Sequence, residues 1–576
     1  MSRRARQPAV APWRFYLVAL ALLALLALLV GRVLSLQVLD TDRGRSFLQS
    51  QGDNRAVRNA EIPAYRGVIS DRRGEPLAVS TPVISLWVDP AMLATVEDLA
   101  PLALALDMPL AELRERLDRF AGRRFMYLQR HLMPAAAREI LALRIPGVFG
   151  EREYQRYYPA GEVVGHLIGF TNVDGRGIAG LELAYDDWLR GTPGKKQYIK
   201  DLHGDAVRDI GVLEPALPGK DLQLSIDLRL QYLHHQELQR AMANTGATSG
   251  TIVTLDARTG EVLAMVNHPV YNPNASRGVS ADLTRNRALT DMFEPGSTMK
   301  TFTLVAALES GRFSTETVID TSPGRIRVGR KTLPDPRNYG AITVSRVIEK
   351  SSQVGVTKIA QDLGHEPIRE VFDRFGFGHS LGTGFPGESA GQLPSRNRWS
   401  DIEKVTLAFG YGLTATPLQL AHAYTAFAND GVLQPVTLLA APETLVPGKR
   451  VVQSDIAREV LTVLQRVTGE HGTARRARVA GYEVGGKTGT VHKVGPGGYQ
   501  DNKYIAFYAG VAPIADPRFV TVVVINEPQG EAYGGGAAAA PVFARVAEGT
   551  LRLLNVAPDE PEAVAALASV RPGVSG

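Results

Sequence analysis

Residues Thr251–Asn267, TIVTLDARTGEVLAMVN, decide the fold of this chain. Two runs rich in β-branched residues flank a turn that contains Thr259 and Gly260, which is typical of a β-hairpin. Three more strand-like runs lie far downstream, at Val484–Val491, Tyr504–Ala512 and Phe519–Ile525. The sequence between the two groups has a mostly helical pattern. Two strands, a long helical insertion and three further strands predict one mixed sheet with helices packed on it.

The composition excludes several classes of protein. The chain has 576 residues, enough for about two to four domains. Hydrophobic residues make up 44% and charged residues 21%, which excludes a mainly disordered chain and a polytopic membrane protein. A net charge of +5 over this length does not indicate nucleic-acid binding. The absence of cysteine excludes disulfides, thiolate metal sites and a cysteine nucleophile.

The N-terminus predicts one membrane segment and its direction. Four arginines and no acid precede an uncharged run that begins at Phe15, and after a break at Arg32 the apolar sequence continues to Leu36. A bilayer core needs about 20 apolar residues, and an arginine near one end can reach the interface. We therefore expect residues 15–36 to be an uncleaved anchor, residues 1–14 to be cytoplasmic and the remainder to be periplasmic. The alternative is a cleaved signal peptide, but no small-x-small site directly follows this long run.

A serine and a lysine in the motif PGSTMK are candidate catalytic residues. The motif opens an apolar helical run, and residues three apart lie on one helix face, so Lys300 can reach the Ser297 hydroxyl. A serine becomes a nucleophile when a neighbouring base takes its proton, and burial or a second cation lowers a lysine pKa towards that role. Taken alone, the pattern is better explained by a helix-capping serine and a solvated lysine.

Two further motifs supply the groups that such a serine needs. In GGKTGT, on a strand-like run, Lys487 offers a second positive charge and Gly489 permits close approach of a backbone. In KSSQVG, Ser351 can relay a proton and the Gln353 amide can hold a carbonyl oxygen. A turn into a strand and a helix cap are the simpler interpretations of these motifs when each is taken by itself.

Together the three motifs resemble the Ser-x-x-Lys, Ser-x-Asn and Lys-Thr-Gly set of penicillin-binding proteins and serine β-lactamases, in the same order. The resemblance extends to RG and DRRG at residues 66–74, to the glycine-rich residues 161–182, and to FGYG and TPLQ at residues 409–419. These segments are similar to division-specific class B penicillin-binding proteins of the FtsI type. The resemblance covers most of residues 15–550.

This resemblance implies the architecture. It implies an α+β chain with a single transmembrane helix, an elongated non-catalytic pedestal over residues 37–219 and a transpeptidase domain over residues 220–555. The transpeptidase domain would hold a five-stranded, mainly antiparallel sheet flanked by helices, with a large helical subdomain. We expect residues 37–60 to continue the anchor as a helix and residues 556–576, rich in Pro, Ala and acid, to form a flexible tail.

The resemblance also implies a peptidoglycan D,D-transpeptidase that cross-links stem peptides ending in D-Ala-D-Ala at the division septum. Such an enzyme works through a serine acyl-enzyme, is inhibited by β-lactams, needs no cofactor, and lies in the bacterial inner membrane with a glycan polymerase of the FtsW kind and other divisome proteins as partners. The implied catalytic residues are Ser297, Lys300, Ser351, Gln353 and Lys487, and the implied substrate-binding residues are Thr488, Gly489 and Thr490. Tyr504 and Tyr533 are further candidates for the cleft wall, with core or rim packing as the alternative.

One position departs from the family pattern, because Gln353 stands where the family has Asn. Gln displaces the amide by one C–C bond, and a slip of about 1 Å can cost ~10²-fold in rate if nothing compensates. A literal Ser-x-Asn occurs in a Pro-rich loop at Ser395 and Asn397, but we assign the motif to Ser351 and Gln353. The alternatives to a transpeptidase are a carboxypeptidase or β-lactamase-like hydrolase, and a non-catalytic divisome scaffold.

Overall fold

The computed structural model describes residues 11–37, 57–200, 206–440, 446–495 and 497–559. The predictions for most of the cytoplasmic segment, for residues 38–56 and for most of the C-terminal tail lie outside the described residues. Among the described residues, those up to Ala64 form one compact unit with Gly191–Pro218, and the others form a second unit. The pedestal sequence is thus divided between the two units.

The first unit contains the apolar helix and a small sheet. The helix, Pro12–Gln37, is long and apolar enough to cross a bilayer, with a mean hydropathy of 2.7. Val57–Ile62 is a strand, so the helix predicted up to residue 60 ends before it. This strand pairs antiparallel with Gly194–Lys200, which also pairs with Ala206–Glu214. The strand forms because its backbone pairs with residues 132 to 142 positions downstream, which local sequence does not reveal.

A helix-covered sheet forms the pedestal part of the second unit. Pro76–Val88 is the central strand and pairs antiparallel with both Met126–Leu132 and Val148–Tyr157. Alternate side chains of the central strand, including Leu86 and Val88, point into a separate apolar core. The helices of this part are Pro90–Leu93, Ala100–Ala105, Leu110–Arg119, Pro134–Ala142, Gly165–Ile168, Gly180–Ala184 and Asp186–Leu189, and a 3-10 turn spans Gly161–Val163.

The arginine- and glycine-rich motifs of the pedestal sequence form a buried ion-pair network. Glu182 is fully buried and accepts hydrogen bonds from Arg66 Nε at 2.7 Å and from Arg156 Nε at 2.6 Å. Arg66 also contacts Asp186 at 2.7 Å. A buried carboxylate is tolerated only when it is paired and hydrogen-bonded, so these motifs hold the fold rather than a ligand.

A five-stranded sheet is the centre of the catalytic part. Its spatial order is Val262–His268, Ser249–Asp256, Phe519–Asn526, Gly498–Ala512 and Gly485–Gly495. Every neighbouring pair is antiparallel, which confirms the mainly antiparallel sheet that the resemblance implies. The mixed sheet predicted from the strand order is wrong, because no parallel pair occurs among these five strands. Ser249–Asp256 and Phe519–Asn526 are buried at nearly every position, which requires cover on both faces of the sheet.

Helices cover this sheet and build the inserted helical part. They are Leu228–Thr245, Ala281–Thr284, Arg287–Thr290, Lys300–Glu309, Val344–Glu349, Gln353–Leu363, His365–Arg374, Asp401–Thr406, Pro417–Ala428, Ser454–Thr468, Gly535–Ala538 and Ala540–Leu553. Short 3-10 turns are Pro273–Ala275, Gly296–Met299, Leu407–Phe409 and Arg475–Ala477. Small strands are Ile69–Ser70, Leu222–Gln223, Val318–Asp320, Arg325–Val328, Lys331–Pro334, Ala341–Thr343, Val432–Leu433 and Lys449–Arg450. As predicted, Asp227 caps the first of these helices, and its side chain accepts from the Arg229 N–H at 3.0 Å.

Candidate active site

The candidate nucleophile lies in a 3-10 turn beside the edge strand of the sheet. The turn, Gly296–Met299, leads directly into the helix Lys300–Glu309, which is buried over most of its length. Gly296 has a φ of +50°, and a Cβ there would lie 2.6 Å from the Val491 side chain on the edge strand. The glycine of the motif therefore lets the turn approach the sheet closely. Ser297 is half-buried in this turn.

The helix that follows is anchored by a cluster of aromatic rings. Phe302 is fully buried and packs edge-on against Phe375, Phe377 and Tyr424 at centroid distances of 5.0 to 5.4 Å. The Tyr424 hydroxyl also donates a hydrogen bond to the Thr298 carbonyl at 2.9 Å. The nucleophile turn is thus held by packing and by a buried hydrogen bond, which limits its movement during a reaction.

Two buried lysines meet at one serine. Lys300 Nζ donates to the Ser351 carbonyl at 2.5 Å and to Ser351 Oγ at 3.2 Å, and Lys487 Nζ lies 3.0 Å from the same Oγ. Both lysines have no exposed surface. Within the described residues, neither the expected hydrogen bond from Ser297 to Lys300 nor any other bond to the Ser297 hydroxyl is formed. Lys300 is bound to Ser351 instead, and only tertiary packing brings these groups together.

The environment of the two lysines favours their neutral forms. Burial lowers the pKa of Lys300 to about 7, against a smaller opposing effect of the Asp335 carboxylate. Burial and the neighbouring charge of Lys300 lower the pKa of Lys487 well below its usual value. Neither lysine forms an ion pair within the described part of the chain. The site therefore offers an amine that can take up a proton near neutral pH.

Ser351 has an unusual backbone conformation, and Asp335 binds the residues that follow it. Its φ is +56°, a left-handed conformation that costs of order 1–3 kcal/mol in a residue other than glycine. The buried Asp335 accepts hydrogen bonds from Ser352 Oγ at 2.5 Å, from the Gln353 N–H at 2.5 Å and from the Val354 N–H at 3.2 Å. These bonds hold Ser352 and the start of the helix Gln353–Leu363, and so they restrain Ser351, which precedes Ser352 in the chain.

The strand Gly485–Gly495, which carries Lys487, contributes small residues to the site. A Cβ at Gly489 would lie 1.9 Å from the Phe507 ring, so only glycine fits between this strand and its neighbour. Thr490 Oγ1 accepts the Gly535 N–H at 2.9 Å, and Thr488 Oγ1 pairs with Thr473 Oγ1 at 3.0 Å. Gly535 begins the short helix Gly535–Ala538, so this hydrogen bond ties the start of that helix to the strand.

Tyr504 and Tyr533 form a stacked pair. Their ring centroids are 4.1 Å apart with an interplanar angle of 19°, and the His492 ring centroid lies 4.7 Å from that of Tyr504. Tyr533 is 39% exposed. Both rings are partly exposed to solvent. Tyr504 lies on the strand that pairs with the strand of Lys487, and Tyr533 lies in the loop before the helix Gly535–Ala538.

The remaining predicted site residues are less tightly bound. Gln353 is half-buried at the start of its helix, and its side-chain amide makes no hydrogen bond within the described residues. Ser395 and Asn397 are exposed in the loop before the helix Asp401–Thr406, so the literal Ser-x-Asn lies on a surface loop. Only the serine at 351 contacts the two lysines.

Three features of the site are missing from the sequence analysis. Asp335 follows a short strand in LPDPRNYG, where nothing in the local pattern indicates that it will cap a helix 18 residues later. The ring centroid of Phe409 lies 5.9 Å from Lys300 Nζ. Glu294, three residues before Ser297, accepts a hydrogen bond from the Tyr499 hydroxyl at 2.9 Å. A charged residue next to a catalytic motif is a signal that could have drawn attention to Glu294.

Two protein-family models match the chain. Residues 250–548 match the penicillin-binding protein transpeptidase domain, and residues 61–224 match the penicillin-binding protein dimerisation domain. Over 553 residues, the chain is 43% identical to the peptidoglycan D,D-transpeptidase FtsI of Escherichia coli K12, covering 95% of this chain and 93% of that protein. It is 39% identical over 570 residues to the probable peptidoglycan D,D-transpeptidase PenA of Neisseria meningitidis, covering 98% and 96% of the two chains.

Solved structures with the same fold include β-lactam complexes. Penicillin-binding protein 3 of Mycobacterium tuberculosis in complex with aztreonam matches with a TM-score of 0.68 and 30% identity, over 87% of this chain and 99% of that one. The transpeptidase domain of penicillin-binding protein 3 from Burkholderia pseudomallei matches with a TM-score of 0.54 and 40% identity, over 59% and 98% of the two chains.

Proposed function

This chain belongs to the class B penicillin-binding proteins of the FtsI type and is a peptidoglycan D,D-transpeptidase, and from this premise we propose that it works through an acyl-enzyme on Ser297. Its substrates are peptidoglycan stem peptides, and β-lactams are its inhibitors. Cross-linking at the division septum is part of the proposal and is supported by the similarity to FtsI along almost the whole chain.

Acylation begins with proton transfer from the nucleophile. Neutral Lys300 takes the Ser297 proton as the hydroxyl oxygen attacks the carbonyl of the penultimate D-Ala. The N–H groups of Ser297 and Thr490 stabilise the oxyanion. The proton then passes through Ser351 Oγ, which lies 3.2 Å from Lys300 Nζ, to the nitrogen of the departing D-Ala. The C–N bond breaks, and an ester on Ser297 remains.

Transfer to the acceptor reverses these proton movements. The amino group of a neighbouring stem attacks the ester carbonyl, a C–N bond forms, and the C–O bond to Ser297 breaks. The amine proton returns to Ser297 through the same groups by microscopic reversibility. Lys487, Thr488 and Thr490 hold the terminal carboxylate of the donor, the Gln353 amide holds a substrate carbonyl, and Gly489 keeps the strand free of side-chain obstruction. Tyr504 and Tyr533 line the rim of the cleft.

The single observation that carries this proposal is the meeting of Lys300, Ser351 and Lys487 in a buried cluster at the nucleophile turn. Peptide mapping by mass spectrometry after incubation with penicillin tests it. We expect a single covalent adduct, on the peptide that contains Ser297. An adduct on a different serine, or no adduct under conditions where the protein is folded, would refute the assignment.

Two substitutions of Asp335 separate the effect of its charge from the effect of its hydrogen bonds. In Asp335→Asn we expect the acidic limb of the acylation pH profile to move to lower pH, because the lost negative charge no longer raises the pKa of Lys300. In Asp335→Ala the turn at Ser351 also loses three hydrogen bonds, and we expect acylation to slow by ~10-fold or more. Exposed Asp320 provides the control, Asp320→Asn, which should match the wild type. An unshifted limb in Asp335→Asn would contradict the electrostatic role.

We propose the domain limits and the membrane orientation on the same basis. The apolar helix Pro12–Gln37 supports an anchor at residues 15–36, and the four arginines before it support a cytoplasmic N-terminus, with the bulk of the chain in the periplasm. We assign residues 37–219 to the pedestal and residues 220–555 to the transpeptidase domain. The proposal that a glycan polymerase of the FtsW kind and other divisome proteins are partners rests on the family resemblance alone.

A further inference from the structure

Glu294 is a carboxylate held in place by neutral groups. Its Oε1 accepts the Gly412 N–H at 2.9 Å, and its two oxygens accept the Tyr499 hydroxyl at 3.2 and 2.9 Å. It forms no ion pair within the described residues. A carboxylate has about four lone-pair positions, so these donors leave part of its capacity free. The result is a fixed negative charge without a cation beside it.

A row of aromatic rings links this carboxylate to the lysine cluster. Phe409 lies 5.9 Å from Lys300 Nζ, and its ring packs edge-on against Tyr411 at 5.8 Å. Tyr411 packs against Tyr499 at 6.3 Å, and Tyr499 bonds Glu294. Burial and the Glu294 charge raise the pKa of Tyr411, so this phenol stays neutral. The carboxylate is thus connected to the catalytic amine through a series of ring contacts.

The attack of the acceptor amine on the acyl-enzyme creates a need for a negative charge near the site. The acceptor is an amine, which is mostly an ammonium ion at neutral pH. Lys300 and Lys487 repel a cation whenever either of them is protonated. Asp335, whose charge acts on Lys300, is already used by three hydrogen bonds inside the protein. Glu294 is free to balance the charge of an incoming ammonium, and the faces of neighbouring tyrosines attract cations too.

We infer that Glu294, with Tyr411 and Tyr499, forms the subsite that binds the acceptor amine as an ammonium ion before that amine loses a proton to solvent and attacks the acyl-enzyme. This inference rests on the proposed function, since it concerns the second substrate of the same site. Glu294 is the specificity-determining group, because it selects a cationic acceptor over water. Gly412 and Tyr499 fix the direction of the carboxylate.

The competing interpretation is that Glu294 only braces the cleft by linking the nucleophile segment to the Tyr499 hairpin. The two interpretations differ in which substitution matters. Glu294→Gln keeps an oxygen that can accept from Gly412 and Tyr499 but loses the charge. Tyr499→Phe keeps the charge and loses the bracing hydroxyl. Bracing predicts a loss mainly in Tyr499→Phe, whereas ammonium binding predicts a loss mainly in Glu294→Gln.

The test measures how the acyl-enzyme divides between water and an amine. Full-length protein in detergent receives an N-acyl-D-alanyl thioester as donor and D-alanine as acceptor, and the ratio of aminolysis to hydrolysis is followed as D-alanine is raised. This ratio refers only to acyl-enzyme that has formed, so it is independent of the acylation rate. In Glu294→Gln we expect the D-alanine concentration that gives half-maximal aminolysis to rise about tenfold. In Tyr499→Phe we expect a rise of less than about threefold.

Ionic strength supplies a second measurement. Added salt should weaken acceptor use by the wild type and should have little effect on Glu294→Gln, because the interaction between charges is screened. An unchanged ratio in Glu294→Gln, or equal losses in both variants, would overturn the inference. Failure of the wild type to form any acyl-enzyme would defeat the proposed function itself, so the two failures are distinguishable.

Discussion

Fluorescent penicillin is expected to label the wild-type protein and to leave Ser297→Ala unlabelled. The substitution removes the only oxygen that can form the ester, and loss of a catalytic serine lowers rates by roughly 10⁶-fold in well-studied hydrolases. Ser297 is half-buried in a turn fixed by Tyr424 and by close packing on the edge strand, so the alanine variant should keep its fold.

The matched control for this experiment is Ser395→Ala. Ser395 belongs to the literal Ser-x-Asn of the chain, but it is exposed in a loop. We expect Ser395→Ala to be labelled like the wild type, as measured by gel fluorescence with circular dichroism to verify folding. Equal labelling of Ser297→Ala and wild type would end the assignment of the nucleophile, and loss of labelling in Ser395→Ala would point to the loop instead.

We expect the second large loss of acylation by penicillin in Lys300→Met. Methionine has a similar length and no charge, so it fills the buried space but cannot take the Ser297 proton. General-base catalysis contributes about 10²–10⁴-fold, and we expect the second-order rate constant of acylation to fall by that factor. Stopped-flow or gel-based labelling with penicillin at several concentrations measures this constant.

The pH dependence of the wild type follows from the same residue. Burial lowers the pKa of Lys300 to about 7, so the amine is mostly neutral above pH 7 and mostly protonated below it. Since only the neutral amine acts as a base, acylation should rise with pH through a midpoint near 7. Lys300→Met should lack this limb, whereas the control Lys404→Met, at a partly exposed lysine outside the site, should retain it. A wild-type rate that is flat from pH 5.5 to 8.5 would contradict the role of Lys300.

Much of the fold follows from local patterns. The Thr259-Gly260 hairpin, the three downstream strand runs and the apolar N-terminal helix all carry their signal within a few residues, through β-branched alternation, turn residues and uninterrupted apolar length. The structure has each of them, with shifted ends. In the five-stranded sheet, the strand predicted to start at Tyr504 starts at Gly498. Residues 57–60 of the helix predicted over residues 37–60 lie instead in the strand Val57–Ile62, whose partner strand is distant in sequence.

The sequence by itself determined the family, the sheet and the identity of the reactive side chains, because motifs of a few residues carry that information. Only the tertiary structure decided how those side chains meet. Lys300 is bound to Ser351 rather than to Ser297, and Asp335 fixes the turn at Ser351. The physical reason is that burial, pKa and hydrogen-bond geometry depend on groups brought together from distant segments, and spacing along one helix does not report them.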